Sequence, residues 1–392
     1  MRENTSTAEK NDVVVTFGLE SFDDAVEREF CRPADQLLLA LAADDRIGEL
    51  LVADPWRSSV SALKRRRVAR LSTPLEIGGR TAVRVRPQRV RRRDPLDLAT
   101  TEASYRRYGE LLGRALARGR GEREPAPASA VLVTCHPCIA AFCDAPWISK
   151  IIYFGRDDWA TGAEVAEWAD IYVEAYRRID ERKATIFAVS EELAERLSAR
   201  TTVVPNGVIA DIWRPHLPAP ARIAQLPGPR AIYTGSLNQR LDRELVETTA
   251  RNVGSVIMLG YANDRPTVDW LRSIDNVHVF EPVGQRELAA TVQACDVGLI
   301  PHVDHPCVRA MSPLKLYEYL AGGIPVLSVD LPPVRGVDET RVRISDSANW
   351  AETLAEAIRM GPADEDHRQR FIDDVSWQQR MQVMVDAATA PE

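Results

Sequence analysis

Short apolar runs rich in β-branched residues alternate with longer amphipathic stretches along most of the chain, and this alternation constrains the fold more than any other feature. In the first part of the chain the short runs predict strands at 13–17, 49–53, 130–134, 150–154, 186–190 and 201–205. Helical patterns lie between several of them, for example at 164–179 and 191–199. Strands that alternate with helices predict parallel sheets with helices on both faces. In such sheets ligands bind beyond the carboxyl ends of the strands, so functional residues are expected directly after the strands.

A second series of the same kind follows a proline-rich stretch at 214–230, which is typical of a linker. The strands of this series are predicted at 230–235, 255–260, 277–282, 296–302 and 324–330, and helical patterns end the chain at 349–360 and 373–390. We therefore predict an α/β protein with two doubly wound, Rossmann-like domains that face a central cleft.

The composition excludes several classes of protein. A chain of 392 residues with 45% hydrophobic residues is long and apolar enough for two ordinary domains. A net charge of -7 argues against nucleic-acid partners, because nucleic acids bind basic domains. No apolar run approaches the ~18 residues that a membrane span requires, and the polar start of the chain has no apolar signal region. We expect a cytoplasmic protein.

Five motifs follow one another in the second half of the chain. They are PNGV at 205–208, YTGSLNQRLD at 233–242, VGQREL at 283–288, DVGLIP at 296–301 and SPLKLYEYLAGGIPVLS at 312–328. In this order and spacing they resemble the GT-B glycosyltransferases of the large retaining family called group 1 or family 4. The resemblance is greatest for the bacterial polysaccharide and cell-surface branch, whose hallmark is PLK-x-x-EYLA-x-G-x-PV. It implies an acceptor-binding domain at 1–211, a domain that binds the nucleotide sugar at 212–375, and a final helix at 376–392 that crosses back to the first domain.

The residues of these motifs also suit a diphosphate on chemical grounds. The SPLKLYEYLA pattern predicts a helix that Ser312 caps and whose first turn contains Pro313 and Lys315. A helix N-terminus presents free N–H groups and a positive dipole end to an anion, and Lys315 adds a full charge. Gly235 ends a strand and allows the backbone to approach a ligand, and Arg240 supplies a second cation.

The resemblance extends this site to the rest of the donor. It implies that Glu318 binds the ribose hydroxyls and that the base lies near the loop 281–284. Ala310 stands where relatives usually have a glutamate that contacts the donor sugar, so backbone N–H groups of 311–314 or the loop 302–307 are expected to make those contacts. The predicted donor-site residues are Gly235, Ser236, Arg240, Val283, Ser312, Leu314, Lys315 and Glu318.

Structural alternatives exist for the charged members of this set. Lys315 and Glu318, three residues apart, could form an exposed ion pair on one helix face. Arg240 could pair with Asp242 or Glu244 at the start of the next helical pattern.

The sequence VTCHPC at 133–138 contains a C-x-x-C motif with a histidine inside it. A redox pair and a zinc site are both possible functions for such spacing, although zinc would require a second pair of ligands. The resemblance favours a third interpretation, in which His136 follows a strand of the first domain and faces the donor sugar. A helix-cap histidine without a catalytic part is the structural alternative.

Two acids, Asp157 and Asp158, follow the predicted strand at 150–154. By resemblance this segment lies near the acceptor, so either carboxylate could orient an acceptor hydroxyl or act as a base. The alternative is a helix N-terminus, where acids are favoured. No metal is expected, because GT-B enzymes generally use cations and helix dipoles instead of a divalent ion.

The segment 64–93 concentrates Lys and Arg in an otherwise acidic chain. It could be a solvated loop, or it could bind an anionic membrane surface or a phosphorylated lipid acceptor, which would place the protein at the inner face of the plasma membrane.

We therefore predict a glycosyltransferase that moves a sugar from a UDP-, GDP- or dTDP-linked donor to a hydroxyl of a sugar, a lipid-linked sugar or a natural product. Retention of the anomeric configuration is implied by the resemblance alone. Two alternatives remain open: a GT-B sugar-nucleotide epimerase, and a non-catalytic protein that binds nucleotide sugars.

Overall fold

The computed structural model describes residues 10–59, 71–338 and 340–391. The contacts divide the chain into two compact units, Met1–Val204 with Met381–Glu392 (unit 1) and Pro205–Arg380 (unit 2). The sequence analysis set the division at 211/212 and a final segment at 376–392. In the structure the last helix, Trp377–Thr389, has its first residues in unit 2 and continues from Met381 in unit 1.

Unit 1 is built on an eight-stranded sheet in the order β10-β9-β8-β7-β1-β2-β5-β4, in which only the β4–β5 pair is antiparallel. The strands of this unit are β1 (Asn11–Thr16), β2 (Ile47–Ala53), β3 (Arg57–Ser58), β4 (Ser72–Ile77), β5 (Arg80–Val85), β6 (Gln88–Arg89), β7 (Ala130–Thr134), β8 (Ile148–Gly155), β9 (Thr185–Ala188) and β10 (Thr202–Val203). The short strands β3 and β6 pair separately. The helices are Phe22–Glu27, Pro33–Ala43, Leu98–Gly119, Pro137–Phe142, Ala169–Glu181 and Glu191–Leu197, with a 3₁₀ turn at Ala163–Trp168.

Unit 2 has a six-stranded, fully parallel sheet in the order β13-β12-β11-β14-β15-β16. Its strands are β11 (Arg230–Thr234), β12 (Ser255–Leu259), β13 (Val277–Phe280), β14 (Val297–Ile300), β15 (Val326–Ser328) and β16 (Val342–Ile344). Its helices are Ala210–Trp213, Ala221–Ala224, Arg243–Asn252, Arg265–Arg272, Gln285–Gln293, Pro306–Arg309, Leu314–Ala321, Trp350–Arg359 and Glu365–Asp374, with a 3₁₀ turn at Pro332–Val334.

The side chains of the unit 2 strands form an apolar core on each face of the sheet. On β12, Ile257 and Leu259 belong to one core cluster, and Val256 and Met258 belong to the other. A strand that is buried on both faces must be apolar at every position, which explains the continuous apolar runs that predicted these strands. The α/β prediction with parallel sheets is confirmed.

The order of the strands reverses between β11 and β14. The chain moves outward from β11 to β13 and then returns to the other side of β11 with β14. Such a reversal opens a crevice at the carboxyl ends of the two central strands, which is where doubly wound sheets bind ligands.

The prediction that residues 214–230 form a linker is wrong. This segment packs within unit 2, where Ile223 is fully buried and the buried Arg368 donates hydrogen bonds to the carbonyl oxygens of Trp213 and Arg214 at 2.7 Å. Arg368 also donates to the Ala321 carbonyl, at the C-terminus of helix Leu314–Ala321, at 3.1 Å. The prolines therefore shape a packed irregular segment and do not separate the two units.

Candidate functional site

The carboxyl end of β11 approaches its neighbours very closely. Gly235 follows β11 with a φ of 127°, and its N–H donates to the carbonyl oxygen of Leu259 at 3.0 Å. At the end of β12, a Cβ on Gly260 would lie only 1.8 Å from the Gly235 carbonyl oxygen. Glycine at both positions therefore allows the ends of β11 and β12 to pack backbone against backbone at this point.

Lys315 reaches the same place from helix Leu314–Ala321. Its side chain is largely buried, and its Nζ lies 4.1 Å from the centroid of the Tyr233 ring and 3.4 Å from His302 Nε2. A Cβ on Gly235 would lie 3.3 Å from this Nζ. Burial lowers the pKa of Lys315 to about 7, and the positive charge of Arg240 acts in the same direction.

Glu318 lies one turn further along this helix and is only 7% exposed. Burial raises the pKa of its carboxyl to about 7, and the nearby Lys315 offsets part of that rise. The alternative of an exposed helical ion pair is wrong, because both side chains are buried and, in the part of the chain that is described, neither lies within ion-pair distance of an opposite charge.

Arg240 lies half-buried in the loop after β11. Its N–H groups bond to Asn238 Oδ1, at 3.1 Å from the backbone and 3.3 Å from Nε. Among the described residues, no carboxylate forms an ion pair with it. Asp242, its suggested partner, instead caps helix Arg243–Asn252 by accepting a hydrogen bond from the Leu245 N–H. Arg240 and Lys315 thus supply positive charge to one place without a carboxylate that neutralises them.

The helix start differs from the prediction. Pro313, and not Ser312, occupies the N-cap position of helix Leu314–Ala321. The Ser312 hydroxyl accepts from the Asn206 N–H at 3.2 Å, and the Asn206 side-chain amide donates to the Ser312 carbonyl at 2.6 Å. Ser312 therefore ties the PNGV segment to the helix start. The backbone N–H groups of Leu314 and Lys315 begin the helix and have no partner within it.

The remaining predicted donor residues have simple positions. Ser236 follows Gly235, and its carbonyl oxygen lies 3.3 Å from the Tyr233 hydroxyl. Val283 follows β13 at the edge of the sheet and packs against the apolar core. Gly235, Ser236 and Lys315 therefore all lie next to Tyr233. Val283 lies two strands away from β11.

Tyr233 and Gly260 were not among the predicted site residues, and His302 was predicted only as part of a loop that could contact the sugar. Burial and the positive charges of Lys315 and Arg240 hold the pKa of His302 well below its usual value, so the ring is neutral. In the sequence His302 lies at the end of the predicted strand 296–302, directly after the DVGLIP motif, which was a usable signal. Its contact with Lys315 depends on tertiary packing and left no signal in the sequence.

In unit 1 His136 is a helix cap. It is 1% exposed, and its Nδ1 accepts from the Cys138 N–H at 3.2 Å at the start of helix Pro137–Phe142. Burial lowers its pKa to about 4, so the ring is neutral with its proton on Nε2. Nε2 therefore donates to the Tyr105 hydroxyl at 3.2 Å, and that hydroxyl donates to Asp94 at 2.9 Å. His136 is a fixed member of a polar chain, packed against the Trp159 ring.

The cysteines around His136 are free and buried. Burial raises the pKa values of Cys135 and Cys143 to about 12 and that of Cys138 well above its usual value. A reactive cysteine requires a lowered pKa, so these thiols do not suit a redox pair. No group of three or more His, Cys, Asp or Glu side chains within the described ranges could hold a metal ion.

The two acids after β8 differ from each other. Asp157 is exposed, whereas Asp158 is 3% exposed and forms an ion pair with Arg196. Asp158 also accepts from the Ala160 N–H at 3.2 Å and from the Thr161 hydroxyl at 2.5 Å. These contacts occupy both carboxylate oxygens of Asp158, so its role in this structure is to stabilise the turn. No helix begins at this point, so the helix N-terminus alternative does not apply. The carboxylate of Asp157, in contrast, faces solvent.

The basic segment 64–93 lies partly outside the described residues. Within the described part, Arg84 is buried between Asp23 and Asp54, and Arg89 pairs with Asp94. The arginines at 91–93 are exposed. Carboxylates within the unit therefore pair with Arg84 and Arg89, and the exposed Arg93 lies 3.5 Å from Glu167. No helix of the described chain is both long enough and apolar enough to cross a membrane.

Known proteins resemble this chain in part of its sequence and in its overall fold. No protein-family model matches the chain. The chain is 26% identical over 205 residues to the putative teichuronic acid biosynthesis glycosyltransferase TuaH of Bacillus subtilis (strain 168), an alignment that covers 47% of this chain and 51% of that protein. The match therefore spans about half the length of that relative.

Solved structures match over nearly the full length. Sucrose-phosphate synthase from Thermosynechococcus elongatus superposes with a TM-score of 0.66 at 12% identity, covering 96% of this chain and 97% of that chain. The UDP-forming α,α-trehalose-phosphate synthase from Burkholderia xenovorans, in complex with glucose-6-phosphate, gives a TM-score of 0.63 at 12% identity and covers 97% and 100% of the two chains. The chain has the GT-B fold with two Rossmann-like domains, as predicted.

Proposed function

We propose that the protein is a glycosyltransferase of the family 4-like, retaining type, which transfers a sugar from a nucleoside-diphosphate sugar to a hydroxyl acceptor. One observation carries the proposal: Arg240 and Lys315 lie near enough at the reversal of the unit 2 sheet for their charges to act on each other, and no described carboxylate forms an ion pair with either. A cationic site of this kind fits a diphosphate, since Arg and Lys are the usual partners of phosphate oxygens. The relative from Bacillus subtilis is named a putative glycosyltransferase, which agrees with the proposal.

Each donor-site residue has a defined part in the proposed reaction. Gly235 and Ser236 allow the backbone to approach the diphosphate, and Val283 lies in the loop proposed to contact the base. Glu318, in its ionised form, accepts hydrogen bonds from the ribose hydroxyls. When the bond to the sugar breaks, negative charge grows on the leaving diphosphate. Arg240, Lys315 and the N–H groups at the start of helix Leu314–Ala321 stabilise that charge, and one such donor is typically worth about 10²–10³ in rate.

The donor is proposed to be UDP-, GDP- or dTDP-linked and to bind without a metal ion, because the two side-chain cations supply the positive charge. Thermal unfolding of the protein with UDP, GDP, ADP, CMP and dTDP tests this part. A matching nucleotide at ~100 times its Kd should stabilise the wild type by about 2.7 kcal/mol. Glu318→Ala should reduce that shift, and EDTA should leave it unchanged. If no nucleotide shifts the unfolding temperature of the wild type, the proposed donor site is wrong.

From unit 1, His136 is proposed to face the donor sugar and Asp157 to orient the acceptor hydroxyl. We assign no acceptor role to Asp158, because the ion pair with Arg196 and the turn occupy its oxygens.

For His136, two variants separate catalysis from capping. His136→Ala is expected to abolish sugar transfer while nucleotide affinity stays the same. His136→Asn keeps a side-chain acceptor for the Cys138 N–H, so it should restore stability but not transfer. Steady-state transfer rates and nucleotide affinities of both variants decide the question. Equal loss of transfer and nucleotide affinity in His136→Ala, or full activity in His136→Asn, would refute a catalytic part.

The epimerase alternative finds little support in the site. It needs several acids and histidines that line one place, but Asp304 pairs with Arg309 at the surface and the His305 ring caps the short helix Pro306–Arg309. The non-catalytic alternative rests on Ala310, which is buried and offers no acid to the donor sugar. It would gain support if nucleotide binding occurred without turnover on a broad panel of acceptors.

A peripheral contact between the basic segment 64–93 and an anionic membrane is a separate proposal, supported by the exposed arginines at 91–93. Basic side chains near an anionic surface contribute about 1 kcal/mol each. We expect flotation with phosphatidylserine vesicles at low salt and none with phosphatidylcholine vesicles. Equal flotation with both, or with neither, would exclude an electrostatic membrane contact.

A further inference from the structure

The Lys315 amine has neutral neighbours, which is unusual for a buried cation. Its Nζ lies against the face of the Tyr233 ring, 4.1 Å from the centroid, and 3.4 Å from the imidazole Nε2 of His302. The charged groups that act on it are Arg240, from the loop after β11, and Glu318, from its own helix. Within the described residues no carboxylate oxygen lies within ion-pair distance of Nζ.

The hydrogen bonds around this amine can be satisfied in two ways. The Tyr233 hydroxyl lies 3.2 Å from His302 Nε2 and 3.3 Å from the Ser236 carbonyl oxygen. When Lys315 is charged, its amine donates to Nε2 and the tyrosine hydroxyl donates to Ser236. When Lys315 is neutral, the tyrosine hydroxyl can rotate and donate to Nε2 instead. In both arrangements Nε2 accepts, so the ring proton lies on Nδ1, which is buried and has no hydrogen-bond partner among the described residues. No heavy atom has to move between the two arrangements.

We infer that Tyr233 and His302 are positioning residues that hold the Lys315 amine in place in both charge states, so that a bound diphosphate determines whether it is charged. The inference rests on the proposed function, because the diphosphate is that of the proposed donor. Above neutral pH the proton comes from solvent to Nζ when the diphosphate binds, and it returns to solvent when the diphosphate leaves. The repulsion between Arg240 and Lys315 would then be smallest when no diphosphate is bound, and both side chains would be charged when the diphosphate is bound.

The charge of Lys315 can be observed directly because the chain has only five lysines, at positions 10, 64, 150, 183 and 315. Full-length protein with ¹³C at lysine Cε gives one NMR signal per lysine, and the signal that is missing in Lys315→Arg belongs to Lys315. Its pH titration in the ligand-free wild type should have a midpoint near the pKa of about 7 that burial and Arg240 impose.

Variants of the two neighbours test the positioning role. The ring face and the imidazole acceptor both favour the charged amine, so Tyr233→Leu and His302→Leu should each lower the midpoint by about one pH unit. Tyr233→Phe keeps the ring face but removes the hydroxyl that donates to Nε2 when Lys315 is neutral, so its midpoint should rise instead of falling. A wild-type midpoint near 10, or a midpoint that neither Leu variant moves, would overturn the inference. A purely structural role would lower the unfolding temperature of the Leu variants without moving the midpoint.

The same signal separates this inference from the proposed function. UDP, GDP and dTDP are added singly to the wild type, and the nucleotide that binds should raise the Lys315 midpoint by at least one pH unit. If none of them moves the signal, the proposed donor site fails and with it the link between diphosphate and charge. The ligand-free comparison of wild type, Tyr233→Leu and His302→Leu still decides whether the two residues position the amine.

Discussion

Lys315→Met is expected to weaken nucleoside-diphosphate binding by about 10- to 150-fold and to make the ligand-free protein more stable. The loss follows because a charge-assisted hydrogen bond to a phosphate oxygen contributes about 1.5–3 kcal/mol, which corresponds to this range in affinity. The gain in stability follows because the amine is buried among neutral groups and next to Arg240, whereas a methionine of similar length has no charge to desolvate. We expect a gain of about 1–2 kcal/mol in the free energy of unfolding near neutral pH.

The sign of the pH dependence makes this prediction specific. The folded-state pKa of Lys315, about 7, lies below the unfolded value of 10.5, so between these values the unfolded state binds more protons. The stability contributed at this position in the wild type therefore rises with pH across that window. The advantage of Lys315→Met should be largest near pH 7 and should shrink toward pH 10. Urea unfolding at several pH values measures it. Lys315→Arg is the matched control, because it keeps the charge and should retain most of the binding.

A variant that both lost binding and became less stable at every pH would show that the lysine has a packing role, and the assignment of Lys315 to the diphosphate would lose its support. Retention of full nucleotide affinity in Lys315→Met would contradict the assignment outright.

Gly260→Ala is expected to destabilise the protein by at least ~3 kcal/mol and to abolish nucleotide binding. A Cβ at this position would lie 1.8 Å from the Gly235 carbonyl oxygen and 2.6 Å from the carbonyl carbon, so one backbone segment must move by more than an ångström. The segment that moves is the one whose Gly235 lies beside Lys315. This overlap is costly because the Gly235 backbone cannot rotate out of the way. The end of a flexible side chain could do so at little cost.

Gly361→Ala is the matched control in the same unit. Gly361 also has a positive φ, 64°, but nothing lies within 4 Å of the position of an added Cβ. The free energy of unfolding of Gly361→Ala should fall by only about 1 kcal/mol, which is the conformational cost of a left-handed backbone. Its nucleotide affinity should not change. Chemical unfolding and nucleotide titration of both variants provide the measurement. Equal losses in the two variants would show that strain in φ, and not the close approach of β11 and β12, accounts for the Gly260 effect.

The sequence predicted the parts of the fold that depend on local patterns. Continuous apolar runs located most of the parallel strands, since such strands are buried on both faces. The parallel edge strand β16, three residues long with one of them buried, was not predicted. The antiparallel pair of β4 and β5 was missed, because β4 is an edge strand with only one buried residue, Ile77, and has no apolar run. The proline-rich stretch at 214–230 was misjudged because prolines interrupt helices equally well in a linker and in a packed segment.

The candidate site was predictable only to the extent that its residues share a motif. Lys315 and Glu318 came from one helix pattern, and Gly235 and Arg240 from one loop. The contact of Ser312 with Asn206, 106 residues away, could not be inferred from a local capping signal and replaced the predicted cap. The contacts of Lys315 with Tyr233 and His302 likewise join three separate elements. His136 shows the converse case, because the structural alternative of a helix cap described its position well.

Unit 2 is proposed to bind a nucleoside diphosphate through Arg240 and Lys315. Isothermal titration of UDP, GDP, ADP, CMP and dTDP into the wild type and into the Arg240→Met/Lys315→Met double variant tests it most directly. We predict that at least one nucleoside diphosphate binds the wild type and that the folded double variant gives no measurable heat of binding. Binding of the same nucleotide to both proteins with equal affinity would contradict the claim.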